Sequence, residues 1–272
     1  MAMNDPQRYY RYGEAAGQIV REILPEMKEH MTDWDEEYVL DVGCATGINT
    51  SRNLTAFLPN ATIIGSDLSE QMIEFAKKTH TTDKLTFRVL DITDSSAWIS
   101  QCKEKFTKVF SFYTMHRVVN PRKAYENIYN LLKPGGELIT VTPVANCMEC
   151  ILPYLAKMPK YSKYSEQLAK MNVFINPTDD YKNSTVDILK SVGFEVKFAE
   201  HANKSFCAPS IDYLVEFYGL VSYLSHVLPS NLFQESLIDA KKIIEENDLI
   251  EQAHGGYLQK YIVLALVARK PK

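Results

Sequence analysis

The sequence predicts a doubly wound α/β fold with a mostly parallel, seven-stranded sheet and helical cover, and two observations carry that prediction. Short runs of β-branched and aromatic residues alternate with helical patterns from residue 38 to residue 142. Alternation of this kind builds a parallel sheet with helices on both faces. The first run, YVLDV, passes directly into the turn GCATG and then into a helix start. In such sheets ligands sit at the carboxyl ends of the strands, where the strand order switches.

The elements follow in order. An amphipathic helix over 15–28 sets Ile19, Ile23 and Leu24 on one face. Strands are expected at 38–42, 62–66, 85–90, 108–112 and 137–142, runs too short and too β-branched for helices. Helical patterns lie between them at 49–57, 69–79, 95–105 and 121–132, with Ser69 opening the second ahead of an apolar run. Lys133-Pro134-Gly135-Gly136 is a stop and a turn before the fifth strand. A last pair of strands, 193–201 and 256–269, is separated by a helical stretch over 210–248. Residues 144–175 are rich in Met, Tyr and Pro, show no strand pattern, and are expected to cover the open edge of the sheet. The whole chain, 1–272, reads as one domain. Its core is 36–143 with 178–201 and 256–270, and its helical cover is 1–30, 144–175 and 209–250.

Composition narrows the partners. A net charge of −4 with scattered basic residues points away from nucleic acid and from anionic membrane surfaces. No apolar run reaches the roughly 18 residues of a membrane span. The opening MAMNDPQRYYRYGEAAG lacks the apolar core of a signal peptide, so a cytoplasmic protein without membrane insertion is expected. The five cysteines, at 44, 102, 147, 150 and 207, are expected to be reduced thiols. Cys147 and Cys150 form a CxxC with no second pair at zinc-site spacing, so no metal is expected.

Three cofactors compete for the loop VLDVGCATGINT. A nucleoside triphosphate needs GxxxxGK[ST], and Gly47 is followed by Ile48 and Asn49. A dinucleotide needs GxGxxG, and Gly43 and Gly47 have the wrong spacing and no third glycine. S-adenosylmethionine needs close backbone approach but no phosphate cradle, and it fits the loop best. Ala45 is then expected at negative φ, which alanine adopts readily; a positive φ would strain the loop and weaken cofactor binding. Asp67 ends the second strand, where a carboxylate accepts hydrogen bonds from ribose hydroxyls. Asp91 ends the third, where it can accept from an adenine amino group with Ile92 against the ring, or simply cap the strand. Asp41, inside the end of the first strand, needs a partner to be stable there, and a cationic amino-acid end would supply one. Leu68, after Asp67, and Phe112, at the end of the fourth strand, complete the candidate cofactor set.

The series VLDVGCATG, IIGSDLSEQMIEFA, FRVLDIT and FSFYTMHRVVNPRKAYENIYNLLKPGGELI resembles the class I S-adenosylmethionine-dependent methyltransferases over residues 38–142. Within them, SFYTMH and the LLKPGGEL segment look most like the juvenile hormone acid (farnesoic-type) methyltransferases. The resemblance implies transfer of a methyl group to the carboxylate of a small lipophilic acid, isoprenoid or fatty, giving a methyl ester. It departs from that family at His116-Arg117, where a His-Trp pair is usual, and at Ala45, which replaces the middle loop glycine. A carboxylate is already ionised at neutral pH and needs no general base. His116 is therefore assigned the role of orienting the acceptor by donating a hydrogen bond. Gln18 is a second donor, since the resemblance implies a glutamine near there.

Two other readings stand beside this one: a hydroxyl or amine acceptor, and a cofactor-binding regulatory protein without turnover, which Ala45 and Arg117 favour. Tyr9, Tyr10, Tyr12, residues 144–175 and the helix IDYLVEFYGLVSYLSHVL are expected to build the acceptor pocket. The stripe Leu214, Phe217, Tyr218, Val221 and Leu224 on that helix is either core packing or an apolar lid. His201, His226 and His254 stand alone and are read as structural.

Overall fold

The computed structural model describes residues 5–95, 97–171, 179–222, 224–253 and 255–272. Its strands are β1 (Tyr38–Val42), β2 (Thr62–Asp67), β3 (Leu85–Val89), β4 (Phe106–Phe112), β5 (Leu132–Asn146), β6 (Glu195–Ala208), β7 (Gln252–Ala253) and β8 (Gly256–Arg269). They form one sheet in the order β3-β2-β1-β4-β5-β8-β6, with the two-residue β7 turned back onto β8. The expected seven strands are therefore present, and β7 is an addition too short to leave a pattern in sequence. β1 pairs in parallel with β2 and with β4, β2 with β3, and β4 with β5. β4 is buried at every position, as an inner parallel strand covered on both faces must be. β8 reverses direction: Gly135 N–H donates to the Lys270 carbonyl, and Lys270 N–H to the Gly136 carbonyl.

Several boundaries differ from the sequence reading for local reasons. The chain leaves its helix at Leu131 and pairs at once, Leu132 with Phe106, and then Glu137 with Lys108. Lys133 to Gly136 bulge out between these two pairs, with Gly135 at φ +80°. The stop signal ends the helix, but the turn lies inside the strand. The stretch 210–248 breaks into helices Ile211–Val221, Leu224–Val227 and Ser230–Asn247. The pattern at 95–105 yields only Ala97–Gln101. The helix Glu70–His80 starts as expected, with Ser69 Oγ accepting from Met72 N–H at 3.4 Å.

Tertiary contacts divide the chain into two compact units. The sheet unit comprises 16–143, 178–202 and 263–272, and so includes most of the helix Glu14–Lys28. Its core sets Leu40, Phe106, Val109, Ile128, Leu131, Leu138 and Leu266 together, all fully buried. The strand starts are tied by buried charges: Lys108 pairs with Glu37 and donates to the Thr32 carbonyl at 2.7 Å. Glu137 accepts from Thr32 N–H and from Arg269. This places a rigid polar layer at the end of the sheet away from the loop after β1.

The helical unit comprises the described residues of 1–15, 144–177 and 203–262. After β5 the chain forms short helices, Cys147–Ile151, Leu152–Lys157, Pro159–Tyr164 and Ser165–Met171. Residues 172–175 of the expected cover segment, and His254, lie outside the described residues. Leu214 and Leu224 are fully buried, and Phe217 and Tyr218 nearly so. Four of the five stripe residues thus pack as core, and Val221 is half-buried. All five cysteines are free. Among the described residues no helix is long and apolar enough to cross a membrane, and no cluster of His, Cys, Asp and Glu could hold a metal ion.

Candidate active site

The loop after β1 lies at the β1/β4 switch point of the sheet unit and is wound by three left-handed residues, Gly43 (φ +82°), Ala45 (φ +47°) and Gly47 (φ +76°). The expectation of negative φ at Ala45 is therefore corrected. The reason is Asp67 on the neighbouring strand, whose carboxylate accepts the Ala45 N–H at 2.9 Å. Turning that amide toward β2 requires the left-handed conformation, which costs an alanine about 1–2 kcal/mol. Gly43 and Cys44 N–H groups both donate to the Ser66 carbonyl, at 2.7 and 2.9 Å. The two loop glycines are needed for packing as well as for φ. A Cβ on Gly47 would stand 2.7 Å from the Phe87 ring, and one on Gly43 2.0 Å from Thr114 Oγ1.

The strand-end carboxylates divide by environment. Asp41 is 1% exposed, and Thr50 Oγ1 donates to it at 2.6 Å. Burial pushes its carboxyl up to about 7, the Thr50 bond opposes the rise, and the Asp67 charge adds to it. Asp67 is also raised by burial, against the amide bonds it accepts from Ser69 and Ala45. Asp91 is exposed, and its Oδ1 accepts from both Thr93 N–H (2.8 Å) and Thr93 Oγ1 (2.7 Å), a strand-end cap. Ile92 packs in the core, and its carbonyl accepts from Asn127 Nδ2 at 2.7 Å. Leu68 is 69% exposed, whereas Phe112 is buried.

His116 sits on the short 3-10 turn Met115–Arg117 beyond β4. Its Nδ1 is buried and has no hydrogen-bond partner. Burial, followed by the charge of Arg117, depresses the imidazole to about 3. Gln18 is half-buried and donates along its own helix to Glu22 at 3.1 Å. The helix bearing Gln18 is seated beside the loop by its neighbour: Asn53 donates to the Gly17 carbonyl at 3.1 Å, and Arg21 to Asn53 at 3.0 Å. No hydrogen bond joins Gln18 to His116 among the described residues.

Sequence reasoning missed the hydroxyls. Thr50, Ser66, Ser111 and Thr114 all hold the loop or the strand ends, Ser111 by donating to the Val42 carbonyl at 3.0 Å. Thr50, which reaches Asp41, begins a π-turn, Thr50–Leu54, early in the helix after the loop. Such turns recur at functional sites and carry little sequence signal. Thr46, inside the loop, is fully buried with its Oγ1 unpartnered.

Residues 34–212 match the family described as a methyltransferase domain. The chain belongs to that family. Among its relatives is a juvenile hormone acid O-methyltransferase of Bombyx mori, 26% identical over 274 residues and covering 92% of each chain. Another of the same name, from Drosophila melanogaster, is 27% identical over 289 residues, 98% of this chain and 93% of the relative. A solved putative methyltransferase from Bacillus halodurans C-125 shares the fold, with a TM-score of 0.55 at 18% identity over 92% of this chain and 99% of that one. This methyltransferase uses S-adenosylmethionine. The residues present fit it: a buried carboxyl on Asp41 suited to a cationic partner, a half-buried one on Asp67, and an unpartnered Thr46 hydroxyl in a loop without phosphate-binding residues.

The expected acceptor pocket divides. Tyr12 packs edge-on against Tyr213, whose hydroxyl donates to the Tyr12 carbonyl at 3.1 Å. A groove of about 510 Å³ in the helical unit is lined, among the described residues, by Asn146 and Cys147 from the expected segment, together with Lys204 and Lys260.

Proposed function

We propose that this methyltransferase acts on the carboxylate of a small lipophilic acid, isoprenoid or fatty, and releases a methyl ester. The observation that carries the reading is the state of His116. An imidazole depressed to about 3 is a poor base and remains neutral at pH 7. An alcohol or ammonium acceptor is better served by a base, a role to which such a group is poorly suited, whereas a carboxylate brings an ionised oxygen and needs none. The names of the Bombyx and Drosophila relatives, acid O-methyltransferases, support the same acceptor chemistry.

When bound, S-adenosylmethionine supplies a methyl group on a sulfonium, transferred by in-line displacement. The protein's work is then alignment, which can lower a barrier by several kcal/mol, up to about 7–11 in the best-oriented cases. In this reading Asp41 receives the cofactor's ammonium and Asp67 its ribose hydroxyls, with Gly43 and Gly47 giving the cofactor loop its left-handed turns. Leu68, Asp91, Ile92 and Phe112 surround the adenine end. His116 donates to the acceptor carboxylate, and Gln18 joins it after releasing Glu22. Both units serve this one activity, as a single methyltransferase domain. The expected setting is the cytoplasm.

The test is a methyl-release assay with isoprenoid and fatty acids beside the corresponding alcohols and amines. Acids should turn over and the other two should not. Turnover of alcohols or amines with no activity on any acid would replace this reading by its alternative.

A further inference from the structure

We propose that Thr114 is a latch between the cofactor loop and the turn carrying His116, so that filling the loop sets the position of His116. Thr114 would be a positioning residue; it need not touch either substrate. The proposal rests on the cofactor site and is independent of which acceptor is used.

The joint between β4 and the turn is strained. Tyr113 stands at φ +56°, a conformation an aromatic residue adopts only when its surroundings impose it. Here the Tyr113 N–H is held by the Val141 carbonyl on β5 at 2.9 Å. The next residue, Thr114, places Oγ1 3.0 Å from the Phe112 carbonyl and 3.3 Å from the Gly43 carbonyl. A hydroxyl has one proton to donate, so these two carbonyls share it. Movement of the Gly43 carbonyl changes that sharing between it and the Phe112 carbonyl.

Shape reinforces the bond. A Cβ on Gly43 would lie 2.0 Å from Thr114 Oγ1 and 2.4 Å from its Cγ2, so the threonine side chain fills the space the glycine leaves. The loop cannot shift toward β4 without displacing Thr114. Beyond it, Arg117 N–H donates to the Thr114 carbonyl at 2.8 Å and Val118 N–H to the Met115 carbonyl at 3.3 Å. His116 therefore lies within a closed turn that begins at Thr114 and moves with it. On the loop side, Gly43 and Cys44 are fastened to Ser66, next to Asp67. A ligand gripping Asp67, which already holds the Ala45 amide, thus acts on the loop and its Gly43 carbonyl, and through Thr114 on His116. Such an arrangement favours binding of cofactor before acceptor.

The test follows the His116 ring by NMR in the full-length chain with labelled histidine, titrated with S-adenosylhomocysteine. A His116→Gln variant identifies its signals among the six histidines. Because the ring stays neutral near pH 7, a shift reports position rather than protonation. In the native chain the His116 signals should move on saturation. Thr114→Val keeps the shape but cannot donate. It should at least halve that movement and weaken S-adenosylhomocysteine about fivefold, the value of one hydrogen bond. Thr114→Ser keeps the hydroxyl and should restore both. Thr114→Ala is a smaller donor-less variant, read in the same way if the valine protein does not fold. A merely structural threonine would lower thermal stability and leave the ligand-driven shift intact. A full His116 shift with affinity within twofold of native in the donor-less variant would overturn the proposal. So would native His116 signals that stay still when the ligand binds. Failure of S-adenosylhomocysteine to bind the native chain at all would instead refute the cofactor site itself.

Discussion

Ala45→Gly should stabilise this protein and tighten its cofactor site. Alanine at φ +47° carries a left-handed penalty of about 1–2 kcal/mol that glycine does not. Glycine gives back part of this, about 0.5–1 kcal/mol, through the greater freedom of its unfolded chain. A net gain of about 0.5–1 kcal/mol remains. For 272 residues, at about 2.1 cal/mol/K per residue, the unfolding entropy is roughly 0.6 kcal/mol/K, so the melting temperature should rise by about 1–2 °C. The same gain, where it favours the loop conformation that binds, should lower the dissociation constant by about two- to fivefold. Thermal unfolding and calorimetric titration with S-adenosylhomocysteine measure the two effects. Ala45→Val is the opposing control, since a β-branched side chain tolerates positive φ worse than alanine. Equal or lower stability for the glycine variant, together with a valine variant as stable as the native chain, would refute strain at this position. The Asp67 bond to the Ala45 amide would then be holding the loop at no cost.

Other predictions follow from the same geometry. Asp41→Asn removes a buried carboxyl raised to about 7. In the native chain the folded state keeps a proton that the unfolded chain releases above 3.8, so this group's contribution to stability falls as pH rises from about 4 to 7. The asparagine variant should lose that slope, be more stable at pH 8 without cofactor, and bind S-adenosylhomocysteine at least about tenfold more weakly. His116 has the opposite sign. Its folded value of about 3 lies below the ordinary 6.5, so the stability of the neutral ring is complete above pH 6.5 and is lost as pH falls toward 3. Denaturant unfolding of His116→Gln across that range should show the smaller acid sensitivity. Gly47→Ala combines φ +76° with a Cβ 2.7 Å from Phe87, and should cost about 1–3 kcal/mol by urea unfolding.

The fold was legible wherever short runs rich in β-branched and aromatic residues stand between helical patterns, as in YVLDV and FTKVFSF, even though Asp41, Thr107, Lys108 and Ser111 are buried among them. It was illegible where hydrogen-bond partners are distant in sequence. The Lys133–Gly136 turn reads as a boundary, yet pairing with Phe106 begins before it, a fact set by β4 and not by the turn. The helical stretch 210–248 has apolar periodicity across its whole length, and only the break at Pro229 carries a local signal, a proline that ends one helix and precedes the next. The candidate site shows the same division. Aspartates at strand ends can be read directly, because strand length and alternation place them. Thr114 and Thr50 cannot, because a hydroxyl's partner is chosen by whatever carbonyl or carboxylate the fold brings near.

By itself, then, the sequence determined the alternating order of strands and helices, the glycine-containing loop, and the exclusion of phosphate-binding cofactors, all properties of local spacing and residue type. Only the tertiary structure decided the backbone sign at Ala45. Alanine's own preference is for negative φ, and it is Asp67, 22 residues away in the chain but beside it across β1 and β2, that turns the amide over. Local propensity is worth tenths of a kcal/mol to about one, and a half-buried carboxylate in need of a donor outweighs it.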